Sequence, residues 1–399
     1  MSNVPKLRFK EFSEEWEEKS LKDLTKINQG LQIQISDRFT EQVENSYFYI
    51  TNEFLKETSS NKYFIKNPPE SVLCTESDVL MTRTGNTGQV VTNVNGAFHN
   101  NFFKIKYSDD LNKDFLVEFL RLRDTQNMIL RYAGTSTIPD LNHGDFYRLK
   151  INLPSKQEQE KIASFLTSVD TKIEQLTKKE ELLKQYKKGV MQQIFSQEIR
   201  FQANDGSEFE DWYEKKLGDI LISSRLGGNY ANSEKENSTP LIKMGNLDRG
   251  KILLNKIEYI EQNETIDDKD LIQYGDLFFN TRNTLDLVGK VAAWRNELPI
   301  AYYNSNLMLM KFENNFFMNY RLNSFDGIKA LRRIATGTTS VAAIYTKDLL
   351  KVTLSIPSLE EQTKIANFIS SIDSKIEQVS AQLDSTKEFK KALLQQMFV

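Results

Sequence analysis

Hydrophobic residues recur at seven-residue intervals in two long, otherwise polar stretches, one near the middle of the chain and one near its C-terminal end. In the first stretch, one row contains Ile162, Val169, Leu176, Leu183 and Val190. The other contains Leu166, Ile173 and Ile194 and is interrupted by Glu180 and Lys187. In the second stretch, one row contains Ile365, Ile372, Val379, Thr386 and Leu393, and the other contains Ile369, Ile376, Leu383 and Met397. Two apolar rows with an average spacing of about 3.5 residues predict coiled-coil helices. The alternative is two bundle helices, each inside a separate globular domain.

The two helical stretches are copies of one sequence. Residues 151–195 align with residues 354–398 without a gap, at the offset that separates Pro154 from Pro357. Each copy opens with Pro-Ser followed by Glu and Gln, which is typical of a helix N-terminus. The offset is about half of the 399 residues and is far too long for a solenoid repeat. We therefore predict a duplicated module of about half the chain.

The regions outside these helices have the composition of mixed α+β modules. Segments 47–51, 89–92 and 102–106 are rich in the β-branched and aromatic residues of strands. An amphipathic helix is predicted from Asp114 to Tyr132, with a partner near Phe316 to Ile334. The predicted fold class is α+β, with two similar α+β domains separated by two long helices that form an antiparallel coiled coil. We predict two globular domains, at residues 1–153 and 201–353, each followed by a spacer helix, at residues 154–200 and 354–399.

Composition excludes several kinds of site. Cys74 is the only cysteine, and His99 and His143 are the only histidines, so neither an internal disulfide nor a Cys- or His-rich metal site is expected. No apolar run approaches the roughly 18 residues of a membrane span, and the N-terminus lacks the apolar segment of a signal peptide. We expect a cytoplasmic protein without a membrane partner. The net charge of −3 gives no global attraction to nucleic acid.

Four fragments resemble catalytic motifs without completing them. Residues 67–70 read Asn-Pro-Pro-Glu, but an amino-methyltransferase signature needs an aromatic residue where Glu70 stands. Residues 170–172 and 373–375 echo the acid-x-Lys end of nuclease sites, but they fall within the predicted helices and are interpreted as solvated faces. Gly289-Lys290 lacks the pattern of a phosphate-binding loop. No catalytic residue and no metal site is predicted.

Two sets of polar loop residues occur at matching places in both halves. The candidates for contacts with DNA bases are Thr82, Arg83, Thr84, Asn86, Thr135, Ser136 and Thr137, and Asn280, Arg282, Asn283, Thr338, Thr339 and Ser340. Arg and Asn pair bidentately with guanine and adenine edges, and hydroxyl groups suit phosphates. The candidates for phosphate contacts are Arg121, Arg123, Arg131, Lys329, Arg332 and Arg333. Each residue alone fits an ordinary polar turn or helix surface, but the recurrence of the sets favours a shared role.

The whole chain resembles the specificity subunits of type I restriction-modification systems. The resemblance rests on the Pro-Ser-x-x-Glu-Gln-x-Lys-Ile-Ala segments Pro154–Ala163 and Pro357–Ala366, and on the Asp-Lys-Ile-Glu-Gln-like segments 170–175 and 373–378. A Trp-Glu-x-Lys-x-Leu-like start of each globular region and the Gly-Thr-Thr-like loops complete the pattern. Together and in duplicate these motifs are specific.

The resemblance implies two target-recognition domains, each of which reads one half of a bipartite, asymmetric site in double-stranded DNA. It also implies that the helical spacer sets the distance between half-sites and docks two methyltransferase subunits, with motor-nuclease subunits joining for cleavage. Such a subunit is not an enzyme and binds no cofactor itself, because S-adenosylmethionine, ATP and Mg²⁺ belong to its partners. Base-contacting residues are not fixed across the family, so the candidates above rest on chemistry and repeat position.

The alternative to a DNA-specificity subunit is a coiled-coil adaptor or regulatory scaffold that does not bind DNA. A third hypothesis, a self-sufficient methyltransferase or nuclease, lacks recognisable motifs. Neither predicted globular region is net basic, which fits either of the first two hypotheses. If the first is right, local cation clusters must supply the phosphate contacts, and the chain alone is expected to bind DNA weakly.

Overall fold

The protein is described here by a computed structural model that covers residues 3–56, 61–134 and 137–399. The chain divides into two compact units, unit 1 from residues 1–177 with 381–399 and unit 2 from residues 178–380. Each unit therefore combines one globular region with a part of both long helical stretches. The four-segment division at residues 153, 200 and 353 stays a prediction.

Among its described residues, unit 1 has two four-stranded sheets and one strand pair. The strands are β1 (Glu17–Ser20), β2 (Thr25–Gln29), β3 (Ser46–Ile50), β4 (Phe64–Lys66), β5 (Leu73–Cys74), β6 (Val79–Thr82), β7 (Val90–Val91), β8 (Gly96–Phe98), β9 (Phe102–Tyr107) and β10 (Lys150–Leu153). The helices are α1 (Leu21–Leu24), α2 (Lys113–Arg121), α3 (Arg123–Ala133), α4 (His143–Tyr147) and the start of α5 (Lys156–Phe195). The order β2-β9-β6-β7 is antiparallel, whereas β4-β3-β8-β5 contains the parallel pair β3–β8, and β1 pairs with β10.

In the part of the chain that the structure describes, unit 2 repeats the first sheet and the strand pair, has a second sheet of different order and adds a three-stranded sheet. Its strands are β11 (Tyr213–Lys216), β12 (Ser223–Leu226), β13 (Asn232–Ser233), β14 (Pro240–Ile242), β15 (Glu258–Ile260), β16 (Leu277–Asn280), β17 (Arg282–Asn283), β18 (Val291–Ala293), β19 (Tyr302–Tyr303), β20 (Leu307–Lys311), β21 (Thr336–Gly337), β22 (Ala342–Ala343) and β23 (Thr353–Ile356). Its helices are α6 (Leu217–Ile220), α7 (Asn315–Leu322), α8 (Phe325–Ile334), α9 (Thr346–Leu349) and the start of α10 (Leu359–Met397). The order β12-β20-β16-β18 matches β2-β9-β6-β7, the second sheet has the order β13-β15-β14-β19 with β14–β19 again a parallel pair, and the added sheet is β17-β22-β21. The prediction of two similar α+β domains is confirmed.

The amphipathic helix predicted in each half is broken into two helices. Leu122 is extended (ψ 138°) between α2 and α3, and the Gln126 side-chain amide donates to the Leu120 carbonyl that the break leaves free (2.5 Å). Between α7 and α8, Ser324 caps the second helix by accepting from the Gly327 N–H (3.2 Å). A Cβ on Gly327 would lie 2.3 Å from the Arg321 carbonyl oxygen, so only glycine permits this close approach. Hydrophobic periodicity continues through both breaks, which is why it predicted single helices.

The long helices share the core of each unit with its globular region. In unit 1, Ile162, Leu166 and Val169 of α5 and Leu393 and Met397 of α10 belong to one buried cluster with β6, β9 and α2. In unit 2, the corresponding cluster contains Val190 and Ile194 together with Ile365 and Ile369. The apolar rows therefore pack both against the partner helix and against the sheet. No helix in the described ranges is long and apolar enough to cross a membrane.

Ion pairs between the long helices fix their direction within each unit. Lys390 Nζ lies 2.7 Å from Asp170 Oδ2 in unit 1, and Lys187 Nζ lies 2.5 Å from Asp373 Oδ1 in unit 2. In both units an early residue of one helix meets a late residue of the other, so the predicted antiparallel arrangement is confirmed. The interpretation of 170–172 and 373–375 as solvated faces was wrong for the two aspartates, because a lysine across the helix pair partly covers each.

A buried glutamate ties the start of each long helix to the segment that precedes the first strand of its unit. The Glu158 carboxylate accepts from Nε and Nη2 of Arg8 (2.7 and 2.8 Å). The Glu361 carboxylate accepts from the same atoms of Arg200 (3.3 and 2.9 Å) and from Trp212 Nε1 (3.0 Å). The repeated glutamate of the Pro-Ser-x-x-Glu-Gln segment is therefore an ion-pair partner, and not only an acidic residue in the first helical turn.

Candidate nucleic-acid interface

The two loop sets predicted from the repeat lie side by side in each unit. We call residues 83–89 and 281–290 the hairpin loops, and residues 134–142 and 335–345 the connector loops. In unit 1 the Leu141 N–H donates to the Arg83 carbonyl oxygen (2.9 Å), and in unit 2 the Ile344 N–H donates to the Thr281 carbonyl oxygen (3.0 Å). The same backbone bond thus joins the hairpin loop to the connector loop twice.

The hairpin loop of unit 1 holds its arginine in an ion pair. Arg83 Nη2 lies 2.5 Å from Asp140 Oδ2 of the connector loop, and the Thr84 hydroxyl donates to the other oxygen of the same carboxylate. The Arg83 guanidinium also lies over the Phe103 ring, with its carbon 5.8 Å from the centroid. Only 20% of its side chain is exposed. Arg83 reaches a base only if Asp140 releases it or if both move together.

Thr82 supports this loop from inside. Its side chain is completely buried, its hydroxyl donates to the Asn86 carbonyl oxygen, and its oxygen accepts from the Gln89 N–H (2.9 Å). The Asn86 side chain at the tip is exposed. Of these two predicted base contacts, the structure therefore presents Asn86 to solvent and uses Thr82 to shape the turn.

The hairpin loop of unit 2 leaves its arginine free. Asn280 is fully buried, and its Oδ1 accepts from the Arg282 N–H (3.1 Å). The Arg282 side chain is exposed and makes no ion pair with any residue that the structure describes. Asn283 is half-buried and its side-chain oxygen accepts from the Thr284 N–H (2.8 Å). Arg282 is thus available for a ligand, whereas Asn280 orders the backbone on which it stands.

The connector loop of unit 2 exposes its three predicted hydroxyl residues, Thr338, Thr339 and Ser340. A tight turn orders them, because the Thr338 N–H donates to the Val341 carbonyl oxygen (2.8 Å) and the Val341 N–H donates to the Thr338 hydroxyl (3.2 Å). In unit 1, Thr137 is exposed, and Thr135 and Ser136 lie outside the described residues.

The six predicted phosphate contacts, Arg121, Arg123, Arg131, Lys329, Arg332 and Arg333, are all exposed. Arg121 lies 3.7 Å from Glu118, and Arg332 Nη2 lies 3.4 Å from Asp286 of the hairpin loop. The Arg332–Asp286 pair is exposed at both ends and contributes little free energy, so Arg332 can exchange its carboxylate for a phosphate. Glu118, in contrast, is buried and also pairs with Lys390.

Arg249 is a further cation beside the hairpin loop of unit 2, and no motif in the sequence predicts its place there. Its Nη2 donates to the Asp286 carbonyl oxygen (3.2 Å). Burial, and then the neighbouring Arg332 charge, lower the pKa of the Arg249 guanidinium. It stays charged at neutral pH, as any protein arginine does. Arg249 belongs to a segment outside the recurring motifs, and only the fold brings it to this loop.

Burial within the fold shifts the pKa values of Cys74 and His99. Burial raises the pKa of the Cys74 thiol to about 11, which keeps it protonated and unreactive. Burial, and then the charge of Arg38, lower the pKa of His99 to about 4. Within the described ranges, no three His, Cys, Asp or Glu side chains lie together as metal ligands would.

Comparison with known sequences assigns the family. The sequence profile of the type I restriction modification DNA specificity domain matches residues 13–185 and again residues 209–385. The chain belongs to this family. Each match to the specificity domain contains one hairpin loop and one connector loop, so the paired loops occur once per copy.

Individual relatives agree with this assignment. The chain is 25% identical to the type I restriction enzyme MjaVIII specificity subunit of Methanocaldococcus jannaschii, over 96% of this chain and 91% of that protein. It is 18% identical to the StySPI specificity subunit of Salmonella potsdam, over 70% of this chain and 60% of that protein. The crystal structure of the type I restriction-modification S subunit from M. genitalium superimposes with a TM-score of 0.65 at 17% identity, over 99% of both chains. At that identity the superposition shows a shared fold.

Proposed function

We propose that this chain is the DNA-specificity subunit of a type I restriction-modification complex, and that each unit reads one half of a bipartite, asymmetric site in double-stranded DNA. The observation that supports this function is the pairing of a hairpin loop with a connector loop in both copies of the specificity domain. Each pair displays an amide or guanidinium group next to hydroxyl groups, with exposed cations on the preceding helix. Amide and guanidinium groups can pair with base edges, and hydroxyl groups and cations can contact phosphates.

Among the candidates, we assign the base contacts to exposed side chains of these loops. They are Asn86 and Thr137 in unit 1, and Arg282, Thr338, Thr339 and Ser340 in unit 2. Arg83 and Thr84 join them when Asp140 moves with them, and Asn283 contributes through its half-exposed amide. The buried Thr82 and Asn280 act by shaping the loops, and the arginines and Lys329 on the helices contact phosphates.

We further infer that the chain acts without catalysis, in the cytoplasm, and docks two methyltransferase subunits, with motor-nuclease subunits joining for cleavage. The duplication supports this stoichiometry, because two copies of one helix sequence offer a partner two equivalent surfaces. S-adenosylmethionine, ATP and Mg²⁺ then belong to those partners. The long helices set the gap between half-sites, so inserting one or two helical turns after Gln175 should lengthen the gap and leave the half-site bases unchanged.

Methylation sequencing tests the proposal. DNA from cells with and without this gene, in the presence of its methyltransferase partner, should differ by methylation at one two-part motif with a fixed gap. The reconstituted complex should bind that motif with an affinity that falls steeply as salt rises. Loss of the gene without loss of a methylated motif, or binding that ignores sequence, would contradict a DNA-specificity role and favour an adaptor.

A further inference from the structure

An apolar surface lies beside Arg282 in unit 2. The side chains of Leu285, Leu287 and Val341 are 37%, 40% and 67% exposed. We call these three residues the apolar patch. Leu285 and Leu287 belong to the hairpin loop and Val341 to the connector loop, so the patch spans the two loops that carry the candidate base contacts.

The patch stands on ordered backbone. The Leu285 N–H donates to the Thr339 carbonyl oxygen (3.1 Å), which joins the two loops at this point. Val341 closes the connector turn by accepting from the Thr338 N–H. Gly337 begins this turn with φ +127°, and a Cβ there would lie 2.3 Å from the Val341 carbonyl oxygen. Only glycine satisfies both constraints, so the sequence keeps Val341 at the tip of a defined turn.

Three arginines lie near the patch. Asp286, between the two leucines, accepts from Arg249 through its carbonyl oxygen and pairs with Arg332 through its side chain. Arg282 stands on β17, which pairs with β22 directly after Val341. Positive charge around an exposed apolar centre complements a duplex, since phosphates flank the base edges on both sides of a groove.

We propose that the apolar patch reads the C5-methyl group of thymine in the half-site that unit 2 recognises. This inference rests on the proposed function and adds a base chemistry to it. The thymine methyl is the one apolar feature that base edges present in the major groove. Val341 is the most exposed of the three side chains, and valine is not among the residues that proteins usually insert between base pairs, which favours a methyl contact at the tip.

Unit 1 provides the contrast. Ile138 stands at the repeat position of Val341 and is 62% exposed, but the hairpin loop beside it reads Thr84-Gly85-Asn86-Thr87 and has no leucine. The apolar surface is therefore extended in unit 2 and confined to one side chain in unit 1. The half-site of unit 2 should depend more strongly on thymine methyl groups.

Replacing thymine by deoxyuridine tests this directly, because it deletes the methyl group and keeps the base pairing. With the full chain in its methyltransferase complex, uracil duplexes for each half-site are compared with the thymine duplex. We expect one half-site to bind about fourfold more weakly for each contacted methyl, as for one buried carbon. That loss should disappear in Val341→Ala and Leu285→Ser variants, which already lack the contact, whereas Ile138→Ala should leave it unchanged.

The outcomes separate the two proposals. If the complex shows no sequence-selective binding to the thymine duplex, the proposed function fails. If binding is selective but uracil has no effect at either half-site, methyl recognition is wrong while the proposed function stands. A Val341→Ala variant that binds more weakly and keeps the full uracil effect also overturns the inference, because the side chain then acts by insertion or by contacting a protein subunit.

Discussion

The hairpin loops of the two units close with the same backbone hydrogen bonds, but they differ in length and hold their arginines differently. In both, a glycine N–H donates back to the last residue of the preceding strand, Gly88 to Thr82 (2.8 Å) and Gly289 to Asn280 (3.0 Å). This bond makes Thr82 equivalent to Asn280, so Arg83 corresponds to Thr281 and not to Arg282. Neighbouring residues on extended backbone point to opposite faces. The two arginines therefore face different surroundings, although the sequence places them in similar motifs.

The residue across from the arginine differs as well. Asp140 bridges to Thr84 in unit 1, and the equivalent bridge in unit 2 joins Ala343 to Arg282. A carboxylate thus neutralises the cation in unit 1 but not in unit 2. Two copies of one scaffold can acquire different ligand preferences through single substitutions at such bridge positions while the backbone bonds persist.

The largest effect is expected where each helix is tied to its unit. Glu361→Ala leaves Arg200 and the Trp212 N–H without their buried partner, and should lower the free energy of unfolding of unit 2 by about 3–5 kcal/mol. Glu158→Ala is the matched change in unit 1, where Arg8 is the one side chain among the described residues that the carboxylate holds. Hydrogen exchange of the two units in each variant measures the difference. Equal loss in both units would mean that Trp212 adds nothing.

Arginine replacement should separate the two hairpin loops functionally. Arg282→Ala is expected to weaken binding by about 1–3 kcal/mol and to relax one position of one half-site, because we propose that its exposed guanidinium pairs with a base edge. Arg83→Ala should cost less, since Arg83 must first leave Asp140. Competition binding against duplexes mutated base by base provides the measurement. An Arg282→Ala complex with unchanged affinity at both half-sites would remove that residue from the interface.

Acid should destabilise unit 1 selectively. His99 accepts from the Asn101 N–H through Nδ1 (3.1 Å), and burial lowers its pKa from 6.5 to about 4. Between these values the unfolded chain takes up a proton that the folded unit does not, so the free energy of unfolding falls as the pH drops from about 6.5 to about 4. At about 1.36 kcal/mol per pKa unit this shift corresponds to about 3 kcal/mol, and solvent screening of the partly exposed ring reduces the expected loss to about 1–2 kcal/mol.

Unit 2 supplies the control for this pH dependence. Asn304 occupies the position of His99 and accepts from the Asn306 N–H in the same way (3.2 Å), but it does not titrate in this range. A His99→Asn variant should therefore keep the turn and lose the pH dependence of unit 1. Hydrogen exchange measured between pH 7 and pH 4 would contradict this origin if the variant responded to acid as the native chain does.

The sequence predicted the structure where a regular spacing of apolar residues or a single local motif determines it. The heptad rows of α5 and α10 and the unbroken repeat predicted both helices and the duplication, since apolar spacing along a helix is a local property. Strands at 46–50 and 102–107 followed from β-branched and aromatic runs in the same way. The breaks at Leu122 and Asn323 could not be predicted in this way, because contacts between residues distant in sequence stabilise them. One example is the Gln126 side-chain amide, which donates to the Gly88 carbonyl oxygen.

The sequence predicted which two sets of loops form the site in each unit, but not which of their side chains a ligand can reach. The recurrence of the sets indicated that both matter, and the fold places them together. Which members are accessible depends on contacts across more than fifty residues, such as Arg83 with Asp140, and on Arg249, which no motif marks. A repeat in sequence reports the common scaffold, and the differences between copies become readable only from the contacts.

A small change at the bridge position should convert the free arginine into a held one. Ala343→Asp places a carboxylate across from Arg282, as Asp140 lies across from Thr84, and should weaken binding at the half-site of unit 2 by up to about 1 kcal/mol. Ala343→Asn is the matched control, since it has the same shape without the charge. Binding measured at several salt concentrations distinguishes them, because screening weakens the new ion pair. If Asp and Asn at residue 343 reduce affinity equally, the bridge position acts through shape, and the comparison between the two loops loses its electrostatic basis.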